Sequence, residues 1–271
     1  MLRLFTAGPA QRTTPAPGTL TGMWIRYGEV GAPAAVVLPG SGSTAEFVAR
    51  AFAGPLTATG RALVTADPPP ARPDAPDPAD AWGLALDDLA AREPVTLVGG
   101  VSLGAHAAAR WASRRPGATG GLLLVMPAWT GPPDAVAAVS GATADEIDRL
   151  GVEALLARLR TMPTETEWVV DELHTAWRRR GRAALAAELH GVAASRGPDV
   201  GELRRIAVPC GVVALAGDPL HPAAVAATWA AELPVAGLVT VDHPAVDADR
   251  AALGSAALRA LAAADVPTGS R

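Results

Sequence analysis

The 271-residue sequence contains no lysine and no asparagine, a single cysteine, and only 4% aromatic residues. Each shortage removes a class of chemistry. Without lysine, a Walker-type phosphate loop has no cation, so the stretch Pro39-Gly40-Ser41-Gly42-Ser43-Thr44 is not read as a nucleotide cradle. The lone Cys210 excludes an internal disulfide. A net charge of −4 and a pI near 5.7 leave no basic footprint, so neither nucleic acid nor an anionic membrane surface is an expected partner. The opening residues MLRLFTAGPAQ carry no apolar stretch of the length a signal peptide or membrane span needs, which makes the cytoplasm the expected location. What is abundant is hydrophobic side chain, 49% against 18% charged, enough for one domain plus an insertion with a small molecule as its expected ligand. Nothing in the sequence speaks to oligomeric state.

Short β-branched or apolar runs recur at Leu2–Thr6, Met23–Tyr27, Ala35–Leu38, Ala62–Thr65, Val95–Val98, Leu122–Met126, Val212–Ala216 and Leu238–Val241, and are read as eight strands. Helical stretches at Ala45–Ala53, Ala79–Ala91, Gly104–Arg114, Pro222–Glu232 and Ala248–Ala263 alternate with the later ones. That alternation predicts an α/β fold with a mostly parallel sheet covered on both faces, and the opening strands, which lack an intervening helix, predict an antiparallel start. Pro68–Pro78 is too rich in proline to join a sheet and reads as a loop. Residues 129–209 break the alternation with three helical patterns, about Thr143–Met162, Glu165–Arg179 and Arg182–Ser195. They are expected to form an all-helical cap on a core made of residues 1–128 and 210–271, because an insertion between parallel strands leaves and re-enters at one sheet edge.

Gly100-Val101-Ser102-Leu103-Gly104 falls where a strand pattern stops and a helical one begins. A sharp strand-to-helix corner crowds the chain two residues before and after its centre, and glycine at both places meets that demand. The Ser102 hydroxyl then projects above the sheet edge, with the Leu103 N–H aimed at negative charge developing beside it. A serine is a weak nucleophile at neutral pH, so a base must take its proton and a third group must orient that base.

Of the five histidines, His106 follows Ser102 too closely and is expected to turn into the sheet, while His174 and His190 belong to the insertion and His221 precedes Pro222 at a helix start. His243 leaves the sheet's carboxyl edge directly after the last strand, the edge that also carries Ser102, and is the expected base. The expected acid is Asp218, in the turn Gly217-Asp218-Pro219 that ends the preceding strand. Asp242 competes but adjoins His243, and neighbours on an extended segment point apart; Asp67 is a weaker alternative. The second oxyanion donor is expected in the loop after the third strand, Ser41 N–H first and Gly42 N–H as the alternative. Gly42, Trp129, His174 and Trp177 are candidate substrate contacts, with Trp168 and His190 further residues of the insertion that would line a pocket; tryptophans at helical spacing also serve as packing between cap and core.

With Ser102, Asp218 and His243 in that chain order, the corner motif, the Gly217–Pro222 turn and the helical insertion, the sequence resembles the α/β-hydrolase superfamily over nearly its whole length. It departs where many members have His-Gly after the third strand and this chain has Pro39-Gly40. The resemblance implies an eight-stranded sheet and a serine hydrolase, most simply an esterase acting on a small carboxylic ester or related acyl compound through an acyl-enzyme on Ser102. It implies no need for a metal or organic cofactor. The superfamily also holds lyases and small-ligand-binding proteins with little turnover, so a non-hydrolytic role is the alternative.

Overall fold

The computed structural model describes residues 23–70, 77–161 and 167–264. The expected strand at Leu2–Thr6 and residues 71–76 of the proline-rich segment lie outside the described residues.

Seven strands form one sheet among the described residues: β1 (Ile25–Tyr27), β2 (Ala34–Leu38), β3 (Ala62–Thr65), β4 (Val95–Val101), β5 (Leu122–Val125), β6 (Cys210–Leu215) and β7 (Ala236–Val241). Their order is β1-β3-β2-β4-β5-β6-β7, with β1 antiparallel to β3 and every other pair parallel. From β2 the chain moves outward to β3 and then returns across to β4, so the direction of winding reverses between two neighbouring strands. At such a switch the loops leaving both carboxyl ends diverge to opposite faces and open a crevice. Here those loops carry Ser41 and Ser102.

Burial of the strands on both faces explains their unbroken apolar character. Val36 and Leu38 of β2, Val98 of β4 and Leu122 and Leu124 of β5 face a core shared with α2 (Pro78–Ala90), α3 (Leu103–Arg114) and, later in the chain, the helix at Ala223–Glu232, through side chains such as Trp82, Trp111 and Trp229. The alternate residues Ala35, Val37, Leu123 and Val125 face α1 (Ala45–Ala58) and the last helix at Ala251–Ala264, through Phe47, Phe52, Leu253 and Ala257. One residue of register slip would exchange the two cores.

Between β5 and β6 lie α4 (Ala135–Leu150), α5 (Val152–Thr161), α6 (Glu167–Arg180) and α7 (Arg182–Ala194), packed around a third cluster that includes Ile147, Leu155, Leu156 and Leu185. The single pattern expected over Thr143–Met162 is two helices, because Gly151 sits at φ +83°, a conformation that ends α4 and favours glycine. Its last residue, Met162, and Glu165 at the start of the next expected helix lie outside the described residues. A short α8 (Val200–Arg204), closed by an Asp199/Glu202 capping box, returns the chain to the sheet. After β6 and β7 come α9 (Ala223–Glu232), α10 (His243–Ala248) and α11 (Ala251–Ala264). The loop expected at residue 243 is a turn and a half of helix: Asp242 accepts the Ala245 N–H and Pro244 occupies the first turn, both helix-starting features. Among the described residues no helix is long and apolar enough to cross a membrane.

The corner between β4 and α3 is one of the tightest contacts in this framework. A Cβ on Gly100 would lie 2.2 Å from the Gly104 carbonyl carbon, and one on Gly104 would lie 2.4 Å from the Leu38 carbonyl oxygen. Both obstacles are backbone and cannot swing aside. Gly104→Ala is therefore expected to destabilise the protein by about 1–3 kcal/mol or more in denaturant unfolding, although alanine in an exposed helix interior stabilises by about 1 kcal/mol relative to glycine. An unchanged midpoint would contradict the packing described.

Candidate active site

Ser102 stands between β4 and α3 with φ 54° and ψ −116°, a left-handed conformation that costs a non-glycine residue on the order of 1–3 kcal/mol. Hydrogen bonds from Ser102 N–H to Val125 O at 2.9 Å, and from the Ala105 and His106 N–H groups to Ser102 O, hold it there. The side chain is left to face a cavity of about 370 Å³ beneath the α4–α7 insertion.

Within that cavity Ser102 Oγ is 2.9 Å from His221 Nε2, and His221 Nδ1 is 3.2 Å from Asp218 Oδ2. A carboxylate at Nδ1 fixes the ring proton on that nitrogen, so Nε2 presents a lone pair and the serine hydroxyl donates to it. The Nδ1 approach is bent away from an ideal hydrogen-bond line. The bend follows from the sequence spacing: donor and acceptor belong to one turn and lie three residues apart. Asp218 Oδ1 meanwhile accepts the N–H groups of Leu220 at 2.8 Å and His221 at 3.1 Å, which locks the turn around the carboxylate. Burial works to raise the Asp218 pKa, but the adjoining His221 ring and those two N–H donors outweigh it and hold the carboxyl below its ordinary range.

The expectation that His243 stands beside Ser102 is thereby corrected. His243 begins α10, and its Nδ1 accepts the Trp168 indole N–H at 3.3 Å. Among the residues lining the cavity, His221 is the only histidine. The sequence offered the clue in the turn Gly217-Asp218-Pro219-Leu220-His221-Pro222, where an i, i+3 spacing puts carboxylate and imidazole on one side of a tight turn. The competing carboxylates are occupied elsewhere: Asp67 accepts the Ala45 N–H at the start of α1, and Asp242 caps α10.

The loop after β2 lies directly against the corner, since a Cβ on Gly40 would come within 3.3 Å of Ser102 Cβ. Ser41 lines the cavity, as does Leu103 in the first turn of α3, whose N–H has no acceptor within its own helix. Gly42 N–H is already bonded, 3.0 Å from Glu188 Oε1 of α7, and Gly42 does not line the cavity. Glu188 is 6% exposed and pairs with Arg180 at 2.7 Å. Burial pushes its carboxyl pKa up against the pull of the Arg180 charge and the Gly42 N–H. No pattern in the sequence pointed to this carboxylate, because its partner lies 146 residues away.

Of the other candidate contacts, Trp129, Trp168 and Trp177 line the cavity, whereas His174 is buried away from it and His190 pairs with Asp148 on an exposed helix face. Trp129 also packs edge-on against His106, ring centroids 4.5 Å apart. His106 is completely buried in α3, and its Nε2 accepts the Ala128 N–H at 3.1 Å. Burial first, then the charges of His221 and Arg110, lower its pKa from 6.5 to about 3, only partly offset by Asp77.

Comparison with known proteins bears on the fold alone. No family model and no curated protein sequence matches the chain. Solved structures do. A thermophilic esterase from Thermogutta terrifontis superposes with a TM-score of 0.64 at 16% identity, over 92% of this chain and 97% of that one. A hydrolase from Pseudomonas aeruginosa PA01 gives 0.65 at 21% identity, over 94% and 98%. A thioesterase domain from the curacin biosynthetic pathway gives 0.61 at 20% identity, over 93% and 100%. The chain has the α/β-hydrolase fold, with a mostly parallel sheet, an antiparallel first strand and a helical insertion over α4–α7.

Two measurements check this geometry apart from any reaction. A histidine whose pKa is lower folded than unfolded binds its proton better in the unfolded chain, so stability falls as pH drops through the window between 6.5 and about 3. His106 is expected to contribute a slope of up to about 1.4 kcal/mol per pH unit there. Unfolding curves of the His106→Gln variant, which keeps an acceptor for Ala128, should lose that increment. Glu188→Ala, which strands the buried Gly42 N–H and Arg180, should cost about 3 kcal/mol or more, and Glu188→Gln, which keeps an acceptor, should cost less. Equal costs would mean that Glu188 does not hold Gly42.

Proposed function

We propose that the protein is a serine hydrolase that cleaves a carboxylic ester or a related acyl compound through an acyl-enzyme on Ser102. The observation that carries this reading is the 2.9 Å contact between Ser102 Oγ, on a strained corner, and the Nε2 of a histidine whose other nitrogen faces a carboxylate. Such an arrangement solves the one difficulty of serine chemistry, which is removing the hydroxyl proton as the oxygen attacks.

In this mechanism the substrate carbonyl carbon enters the cavity above Ser102. Oγ forms a bond to it while His221 Nε2 takes the hydroxyl proton, and the carbonyl π electrons move onto oxygen. The resulting imidazolium is stabilised by Asp218, which remains ionised because its pKa is held low. The Leu103 N–H and the Ser41 N–H receive the oxyanion; Gly42, committed to Glu188, is not the second donor. As the carbonyl re-forms, the bond to the leaving alkoxide breaks and His221 hands it the proton. Water then repeats the sequence on the acyl-enzyme with His221 as base, releasing the acid and restoring Ser102. Helices α4–α7 serve as a cap that shields these steps from bulk solvent.

Labelling with a fluorophosphonate probe and turnover of an activated ester test the assignment together. Wild type is expected to label and turn over, and Ser102→Ala to do neither. His221→Gln should lower kcat on the order of 10⁴-fold or more, whereas His243→Gln, whose partner is Trp168, should remain within a few-fold. A large loss in the His243 variant with little in the His221 variant would transfer the base to residue 243. Equal labelling of wild type and the Ser102 variant would end the covalent reading, and a wild type that binds a small apolar ligand without cleaving esters would favour the non-hydrolytic alternative.

A further inference from the structure

The cavity above Ser102 also carries information about what fills it. Besides the serine it is lined by Met126, Phe47 and Trp168 and, from the insertion, by Leu155 and Leu159 of α5, Leu173 of α6 and Leu189 of α7. Val139 of α4 and Leu220 of the acid turn also line it and are 45% and 42% exposed, so part of its solvent-facing lining is aliphatic. Exposed aliphatic side chains at a mouth favour entry of a group that leaves water readily.

Charge narrows the choice further. Among the described residues lining the cavity there is no arginine, and His221 is the only side chain able to carry positive charge. Two carboxylates line it besides Asp218, and both are already neutralised from outside: Glu146 by Arg158 at 2.6 Å, and Glu172 by Arg50 and by Arg250 at 3.4 Å. An acyl group ending in a carboxylate would meet two further carboxylates and no free cation. An ammonium group would find acids whose charge is already taken. A neutral chain meets neither difficulty.

Volume sets the length. A cavity of about 370 Å³, at roughly 30 Å³ for a water-sized group, holds roughly a dozen non-hydrogen atoms. The reacting ester group takes the first few of them. We infer that the site accepts esters of uncharged aliphatic acids with a medium-length chain, roughly six to ten carbons, held by the leucine-lined space of the insertion. This rests on the serine-hydrolase reading above.

A series of 4-nitrophenyl esters from acetyl to palmitoyl, with the 4-nitrophenyl half-ester of succinic acid as the anionic member, tests it on the full-length protein. Each methylene buried in an apolar site is worth roughly two- to fourfold in kcat/KM, so the profile should rise on the order of a hundredfold or more from acetyl to octanoyl and fall once the chain outgrows the cavity. The anionic half-ester should be at least about tenfold poorer than the butyryl ester, its neutral counterpart. Leu159→Trp, which fills part of the space, should move the optimum to shorter chains. A flat profile, an acetyl optimum, an anionic ester as good as its counterpart, or an unmoved optimum in the Leu159 variant would overturn the inference while probe labelling of Ser102 left the hydrolase reading intact. Failure of every ester together with failure of labelling would remove both.

Discussion

The left-handed backbone of Ser102 is the constraint to which the remaining parts of the site are fitted. A side chain at φ 54° is unfavourable by itself, and it persists because Gly100 and Gly104 let β4, α3 and the end of β2 meet at distances that no Cβ allows. The same crowding brings Gly40 against Ser102, and with it the loop that bears the Ser41 N–H. Placement of Ser102 and of the loop after β2 is thus one packing event. It happens at the switch between β2 and β4, where the fold opens a crevice whatever the sequence of the loops.

His221 reaches this crevice by a short route. When acid and base come from two different strands, their separation depends on how those strands pack. Here Asp218 and His221 share one turn, and the carboxylate that orients the ring also accepts the N–H of the same histidine. The arrangement is local and self-supporting, at the expense of a bent approach to Nδ1. His221, after β6, stands beside Ser102, whereas the histidine after β7 is a partner for Trp168, whose ring stacks on Phe47 and lies under Arg250. Those contacts fasten α6 of the insertion to α1 and to the helices that follow β7.

Much of this was legible in the sequence, for identifiable reasons. The central strands are apolar on both faces and bounded by turn residues, seven of the expected eight fall on observed strands, and the corner could be located because glycine, serine and a change of periodicity coincide within five residues. The acid turn was visible for the same cause. What escaped notice was decided by tertiary packing. His243 is favoured by its place at the sheet's carboxyl edge, while the i, i+3 spacing within one turn is what sets His221 beside Asp218; α10 is hidden because six residues carry too little periodicity to register, and Glu188 gives no signal because nothing near it in the chain marks a buried carboxylate. Patterns of period two and 3.6 report which face is covered; they do not report which side chain crosses to a distant loop.

The Glu188 contact joins the two halves of the molecule at the point where chemistry would need them joined. Its carboxylate bonds Gly42 on the core side and Arg180 within the insertion, and Arg180 in turn donates to Pro68 O beyond β3. The loop after β2 is therefore held from both sides, by Gly40 against Ser102 below and by Glu188 on Gly42 above, which leaves Ser41 between two anchored neighbours. Where this chain has Pro39-Gly40 in place of His-Gly, the loop is bonded from the insertion by the Glu188 carboxylate.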